Sequence, residues 1–151
     1  MNNKTEEILN RLLVQLFNDI LHIEEKSMKN TDFDNLSITE IHTIEAIGME
    51  GNRTMGEIAH DLRITVGTLT TSINRLIKKG YVERKRIEED RRVVLVSLTE
   101  SGKKVFDVHS VFHKEMIDEI MENFNGDELE LLTKALGKVN KFFEYKYKSF
   151  Q

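Results

Sequence analysis

The chain has 151 residues with no cysteine and no proline, which excludes disulfides, thiolate chemistry and cysteine-based zinc knuckles, and leaves helices free to run without an imposed break. That length suits one compact unit with a dimerising appendage, able to bury a core without cross-links or structural metal. The net charge of −4 conceals a segregation: residues 1–52 carry 4 basic and 10 acidic groups, residues 53–92 carry 10 and 6, and residues 93–151 carry 8 and 10.

In chain order, the opening residues Met1 to Glu7 read neither as a secretory signal nor as a transit peptide, and no stretch approaches the ~18 apolar residues of a membrane span. The expectation is a cytoplasmic protein with no membrane partner. From 5 to 27, Ile8, Leu12, Leu13, Leu16, Phe17, Ile20 and Leu21 recur at helical spacing and predict a long amphipathic helix. A polar loop follows, with Phe33 inside it. Ser37-Ile38-Thr39-Glu40 is a capping box and opens a second helix burying Ile41, Ile44 and Ile47. Thr54-Met55-Gly56-Glu57 is another, opening a short helix through Leu62. Thr65 caps a helix from Val66 to Lys79, and Gly80 stands where a C-terminal glycine stop belongs. A short helix, a tight turn and a longer helix form a helix-turn-helix signature.

Tyr81 to Arg86 and Val93 to Leu98 switch towards period two around the charged turn Ile87-Glu88-Glu89-Asp90-Arg91, which predicts a two-stranded β-wing. Thr99 caps a fifth helix over 100–124. Asn125-Gly126 breaks it, and Asp127 starts a last helix carrying Leu129, Leu132, Leu136, Val139, Phe142 and Phe143. The terminal helices are amphipathic and stand outside the helix-turn-helix. Their apolar faces call for a second copy of the chain or for an intramolecular bundle, and a homodimer is the simpler answer. The fold class expected is mainly α with a small β-wing: residues 36–98 a winged helix-turn-helix, and 1–35 and 99–151 a helical dimerisation region.

The chemistry concentrates on the helix 66–79. Val66, Leu69, Ile73, Leu76 and Ile77 make one face; Gly67, Thr68, Thr71, Arg75 and Lys78 make the other. Threonine hydroxyls suit phosphate or a base edge, the Thr methyl suits thymine, and Arg suits guanine or phosphate. Gly67 lets the backbone approach DNA. Four threonines in seven residues (Thr65, Thr68, Thr70, Thr71) are unusual for a merely solvated helix, since Thr is a mediocre helix former. In the wing, Asp90-Arg91-Arg92 offers a guanidinium to the minor groove, with Asp90 placed to orient Arg92; the plainer reading is a surface ion pair.

The order of these segments resembles the MarR family of winged-helix regulators over essentially the whole chain. The resemblance is carried by Lys78-Lys79-Gly80-Tyr81-Val82-Glu83-Arg84, Asp90-Arg91-Arg92 and Leu98-Thr99-Glu100-Ser101-Gly102. A narrower likeness, to FabT-type repressors of fatty-acid synthesis, rests on Glu40 to Ile44, Thr65 to Ser72, Glu89 to Val94 and Phe112-His113-Lys114. Ile77 departs from the Glu that many relatives carry there. The resemblance implies a homodimer whose two 66–79 helices enter successive major grooves of palindromic double-stranded DNA, with wings in the flanking minor grooves. The narrower likeness implies long-chain acyl-acyl carrier protein as co-repressor, its acyl chain entering an apolar pocket.

Phe17, Phe33, Phe112 and Met116 are candidates to line that pocket, with His42, His109 and His113 as its polar groups; plain core is the competing reading. No cofactor is expected. The alternative is zinc on Glu24, His42, His109 and His113, because His109 and His113 lie one helical turn apart and zinc-responsive members of the family use comparable positions. An enzyme is disfavoured, since no phosphate loop, nucleophile elbow or paired catalytic carboxylates are present. A helical scaffold would not need the basic wing. A regulator answering to zinc or to an aromatic acid remains the rival within DNA binders.

Overall fold

The computed structural model describes residues 3–150; residues 1, 2 and 151, at the outer ends of the segments 1–35 and 99–151, lie outside the described residues. The chain forms two compact units, Met1–Phe112 and His113–Gln151. The elements in order are α1 (Asn3–Lys29), α2 (Ile38–Ile47), β1 (Arg53–Thr54), α3 (Met55–Leu62), α4 (Val66–Lys78), β2 (Val82–Arg86), β3 (Val94–Leu98), α5 (Glu100–Asn123) and α6 (Gly126–Lys148). The division between the units falls within α5.

The helix starts follow from side-chain capping. Ser37 and Glu40 close a reciprocal box at α2, the Ser37 Oγ accepting from the Glu40 N–H at 3.2 Å and the Glu40 carboxylate accepting from the Ser37 N–H at 2.9 Å. Thr54 and Glu57 do the same at α3, and Thr65 caps α4. Each box satisfies N–H groups that a helix cannot satisfy internally. The end of α4 is set by Gly80 at φ +84°. There the Gly80 N–H donates to the Ile77 carbonyl and the Tyr81 N–H to the Leu76 carbonyl, both at 3.0 Å, the paired bonds of a Schellman stop.

The core of the first unit is built around α4. Leu69, Ile73 and Leu76, one stripe at helical spacing, are fully buried against Ile41, Ile44 and Ile47 of α2 and Ile58 of α3. Each such side chain contributes about 1.5–3 kcal/mol by leaving water. Val66, expected on that face, stands at the first helical position and is instead 49% exposed. Val96 and Leu98 of β3 and Val105 of α5 belong to the same core, with Met28, Leu36, Ala59, Tyr81 and Val82.

The sheet holds one strand more than the sequence suggests. Its order is β1-β3-β2, antiparallel throughout, with Arg53 opposite Val96 and Val82 opposite Leu98. Helix α6 begins one residue earlier than Asp127: Asn125 is its N-cap and forms a further capping box with Glu128. No helix among the described residues is long and apolar enough to cross a membrane.

Candidate nucleic-acid interface

The face of α4 opposite its buried stripe is open. Thr65, Gly67, Thr68, Thr71, Arg75 and Lys78 are all exposed, and Thr70 is half-buried. Thr65 Oγ accepts from the Thr68 N–H at 3.1 Å and lies 2.9 Å from the Thr68 hydroxyl. Thr70 and Thr71 donate their hydroxyl protons back to the carbonyls of Val66 and Gly67, at 2.8 and 3.4 Å. Hydroxyls that spend their protons within the helix keep lone pairs that suit a base amino group, and a threonine methyl suits a thymine methyl. The side chains of Arg75 and Lys78 have no hydrogen bond or ion pair among the described residues, so both keep their donors for a ligand.

The wing closes through a tight turn in which the Val93 N–H donates to the Asp90 carbonyl at 2.9 Å. Asp90 accepts three hydrogen bonds from Arg92: from its backbone N–H at 3.0 Å, from Nε at 3.1 Å and from Nη2 at 3.4 Å. The Arg92 side chain is 92% exposed despite this grip, so the pairing orients the guanidinium without hiding it. The same hydrogen bonds, the side-chain ones first, hold the Asp90 carboxyl below its ordinary value. Arg91 beside it is exposed.

Three contacts that fix this surface join residues too far apart for the sequence to pair. Arg84 on β2 donates to the Asn74 side chain of α4, tying wing to helix. Lys79 reaches the buried Glu40 carboxylate at 2.8 Å and the Asn35 carbonyl at 2.7 Å. Arg53 donates to the Ala46 carbonyl at 2.6 Å and pairs with Asp61 at 2.7 Å, joining α2 to α3. Burial opposes the ionised Glu40, but the Lys79 ammonium and the Ser37 N–H outweigh it and hold the carboxyl below its ordinary value.

The residues expected to line a pocket or hold a metal belong to both compact units. Phe33 packs edge-on to Tyr81 with ring centroids 6.1 Å apart, as part of the core's margin. Phe17 is 65% exposed on α1. Phe112 ends the first unit, whereas His113 and Met116 belong to the second. Glu24, His42 and His109 do converge. The buried Glu24 carboxylate receives His42 Nε2 at 2.9 Å and also His109 Nε2, through the same Oε1. Burial raises the Glu24 carboxyl pKa, but the two imidazoles together outweigh it and the net direction is down. His42, Glu45 and His109 also bring ligand atoms within 4.8 Å of one another. Imidazole and carboxylate are the donors zinc takes.

An open Thr/Arg/Lys face on the second helix of a helix-turn-helix, beside an arginine-tipped β-arm, defines a winged-helix DNA-binding protein. Comparison with known proteins agrees. The MarR family model matches residues 36–94. The crystal structure of Streptococcus pneumoniae FabT in complex with DNA is similar at 38% identity, covering 92% of this chain and 97% of that one, with a TM-score of 0.88. The HTH-type transcriptional regulator BilQ of Clostridium symbiosum is 29% identical over 109 residues, 72% of this chain and 75% of that protein. YcgE of Bacillus subtilis, also an HTH-type regulator, is 31% identical over 107 residues, 70% of this chain and 69% of its own. The chain belongs to the MarR family of DNA-binding transcriptional regulators.

Proposed function

We propose that the protein is a cytoplasmic repressor that binds palindromic double-stranded DNA as a homodimer. Residues 36–98 make the DNA contacts, and 1–35 and 99–151 join the two copies. Thr65, Gly67, Thr68, Thr70, Thr71, Arg75 and Lys78 meet the major groove; Arg92, oriented by Asp90 and flanked by Arg91, enters the minor groove. The observation that carries this reading is the Asp90–Arg92 clasp beside an α4 face whose cations are uncommitted, supported by the similar FabT solved with DNA. Selection from a pool of random duplexes should enrich a palindrome with half-sites about one helical turn apart. Recovery of no sequence preference would defeat it.

The finer reading is repression of fatty-acid biosynthesis genes with long-chain acyl-acyl carrier protein as co-repressor. It rests on the FabT-type motifs and on the identity to FabT. Binding of the acylated carrier should tighten operator binding, and by linkage DNA should tighten carrier binding by the same factor. A second reading, a zinc-responsive regulator, is favoured by the convergence of His42 and His109 on Glu24. Titrating operator binding with acyl-loaded carrier protein, unloaded carrier protein and zinc in parallel separates them. Tightening by the loaded carrier alone supports the first, and tightening by zinc alone supports the second.

A further inference from the structure

The Arg75 guanidinium suits a guanine edge and a phosphate alike, and its surroundings decide between them. Arg75 lines a cleft of about 360 Å3 whose other wall is the start of α2, at Ser37, Thr39 and Glu40; Thr68, Thr71 and Ser72 complete it. Most hydrogen-bond donors in the cleft are spent inside the fold. Ser37 and Glu40 close their capping box, and Glu40 also holds Lys79. Thr68 meets Thr65, Thr71 bonds to Gly67, and Ser72 lies 3.2 Å from the Thr43 hydroxyl. The Arg75 guanidinium and the Thr39 hydroxyl are what remain, neither with a partner among the described residues. The donors left unspent in the cleft are thus a cation and a hydroxyl on two different helices, which match an anion.

A helix with its side chains is about 10–12 Å across and the major groove about 12 Å wide, so α4 fills the groove and α2 has no room beside it. A ligand atom that touches both helices must therefore lie at the rim of the groove, where the phosphates are, and not on its floor among the bases. We infer that the cleft between α2 and α4 seats a backbone phosphate of the bound duplex, gripped by Arg75 and Thr39, so that Arg75 supplies affinity without reading sequence. This rests on the proposed DNA binding and assigns Thr39 to the interface as well.

The test is fluorescence anisotropy with full-length wild type, Arg75→Ala, Thr39→Val and the double variant, on a selected operator and on a scrambled duplex of equal length, across a salt series. Arg75→Ala should weaken both duplexes by the same factor, about tenfold or more. Its salt slope should fall by about 1.8, for one phosphate in each of two copies. Thr39→Val should weaken both by about threefold or more with its slope unchanged, and the double variant should lose less than the product, because the two groups share one phosphate. A loss confined to the operator, or an unchanged slope for Arg75→Ala, would overturn the assignment and return Arg75 to the bases. Inorganic phosphate at constant ionic strength is the second arm. Saturable phosphate binding abolished by Arg75→Ala, with DNA affinity untouched by either variant, would make the cleft a site for free anions and overturn its assignment to DNA. Failure of wild type to bind any duplex would instead remove the DNA-binding reading itself. Both side chains are exposed, so thermal melting should be unchanged, which separates these effects from misfolding.

Discussion

A surface ion pair is ordinarily worth little, and the Asp90–Arg92 pair is no exception as a source of stability. In the proposed complex its use is conformational: a long side chain on a turn would lose rotamer entropy on entering a groove, and the clasp would take part of that loss in advance. Arg92→Ala should therefore leave the melting temperature unchanged while weakening operator binding and lowering the salt slope by about one unit per wing. An unchanged slope would remove Arg92 from the interface. The Glu40–Lys79 pair works the other way. It is largely shielded from water and ties the start of α2 to the end of α4, so Glu40→Gln should cost about 2 kcal/mol at neutral pH, the scale of a hydrogen bond to a charged group. The folded Glu40 carboxyl lies below its ordinary 4.5, so its contribution is fully present above that pH and is lost as pH falls through the lowered folded value. Urea denaturation at pH 7 and in acid should show the gap between wild type and variant closing in acid. A gap that persists there would mean the charge is not what Glu40 supplies.

At the scale of elements, what the sequence announces is local. The boxes Ser37–Glu40 and Thr54–Glu57 span three residues, and the stop at Gly80 needs only its own backbone freedom, so each is written in adjacent letters. Contacts between elements are not so written. The two-residue β1 exists because Arg53 and Thr54 lie against Val96 and Leu95, and no periodicity can show in two residues. Glu40 and Lys79 are 39 positions apart, and Phe33 and Tyr81, which pair edge-on, are farther apart still. On the candidate interface the open face of α4 was legible from its spacing, whereas the cleft with α2 was not, because it needs the angle between two helices. Gly102 lies between these cases. It follows the cap Thr99 by one helical turn, and a Cβ there would stand 2.1 Å from the Tyr81 carbonyl oxygen, which already accepts the Thr99 N–H. Backbone cannot yield as a side-chain end can, so Gly102→Ala should cost about 2–3 kcal/mol in urea denaturation. A cost near zero would show that α5 slides freely along β2.

For the molecule as a whole, the notable quantity is apolar surface left in water. Leu12, Leu16 and Phe17 on α1 are each more than half exposed, and so are Leu136, Phe142 and Phe143 on α6, a helix with no buried residue at all. Monomeric proteins rarely leave such stripes open, and helices amphipathic in sequence but bare in one protomer imply burial against another copy. In a symmetric dimer each substitution acts twice. Phe143 pairs edge-on with Phe142, centroids 5.3 Å apart, and an aromatic residue at the centre of an interface contributes about 2 kcal/mol or more. Phe143→Asp should then raise the dimer dissociation constant about a thousandfold, since roughly 4 kcal/mol in total is lost. Sedimentation at micromolar concentration would show a monomer. Because the residue is exposed within its own protomer, the far-ultraviolet circular dichroism should keep its helical signal. Operator affinity should collapse towards that of a single half-site, with the salt slope halved, because one protomer meets only half of the phosphates. A variant that remains dimeric at full affinity would place the joining surface elsewhere than α6.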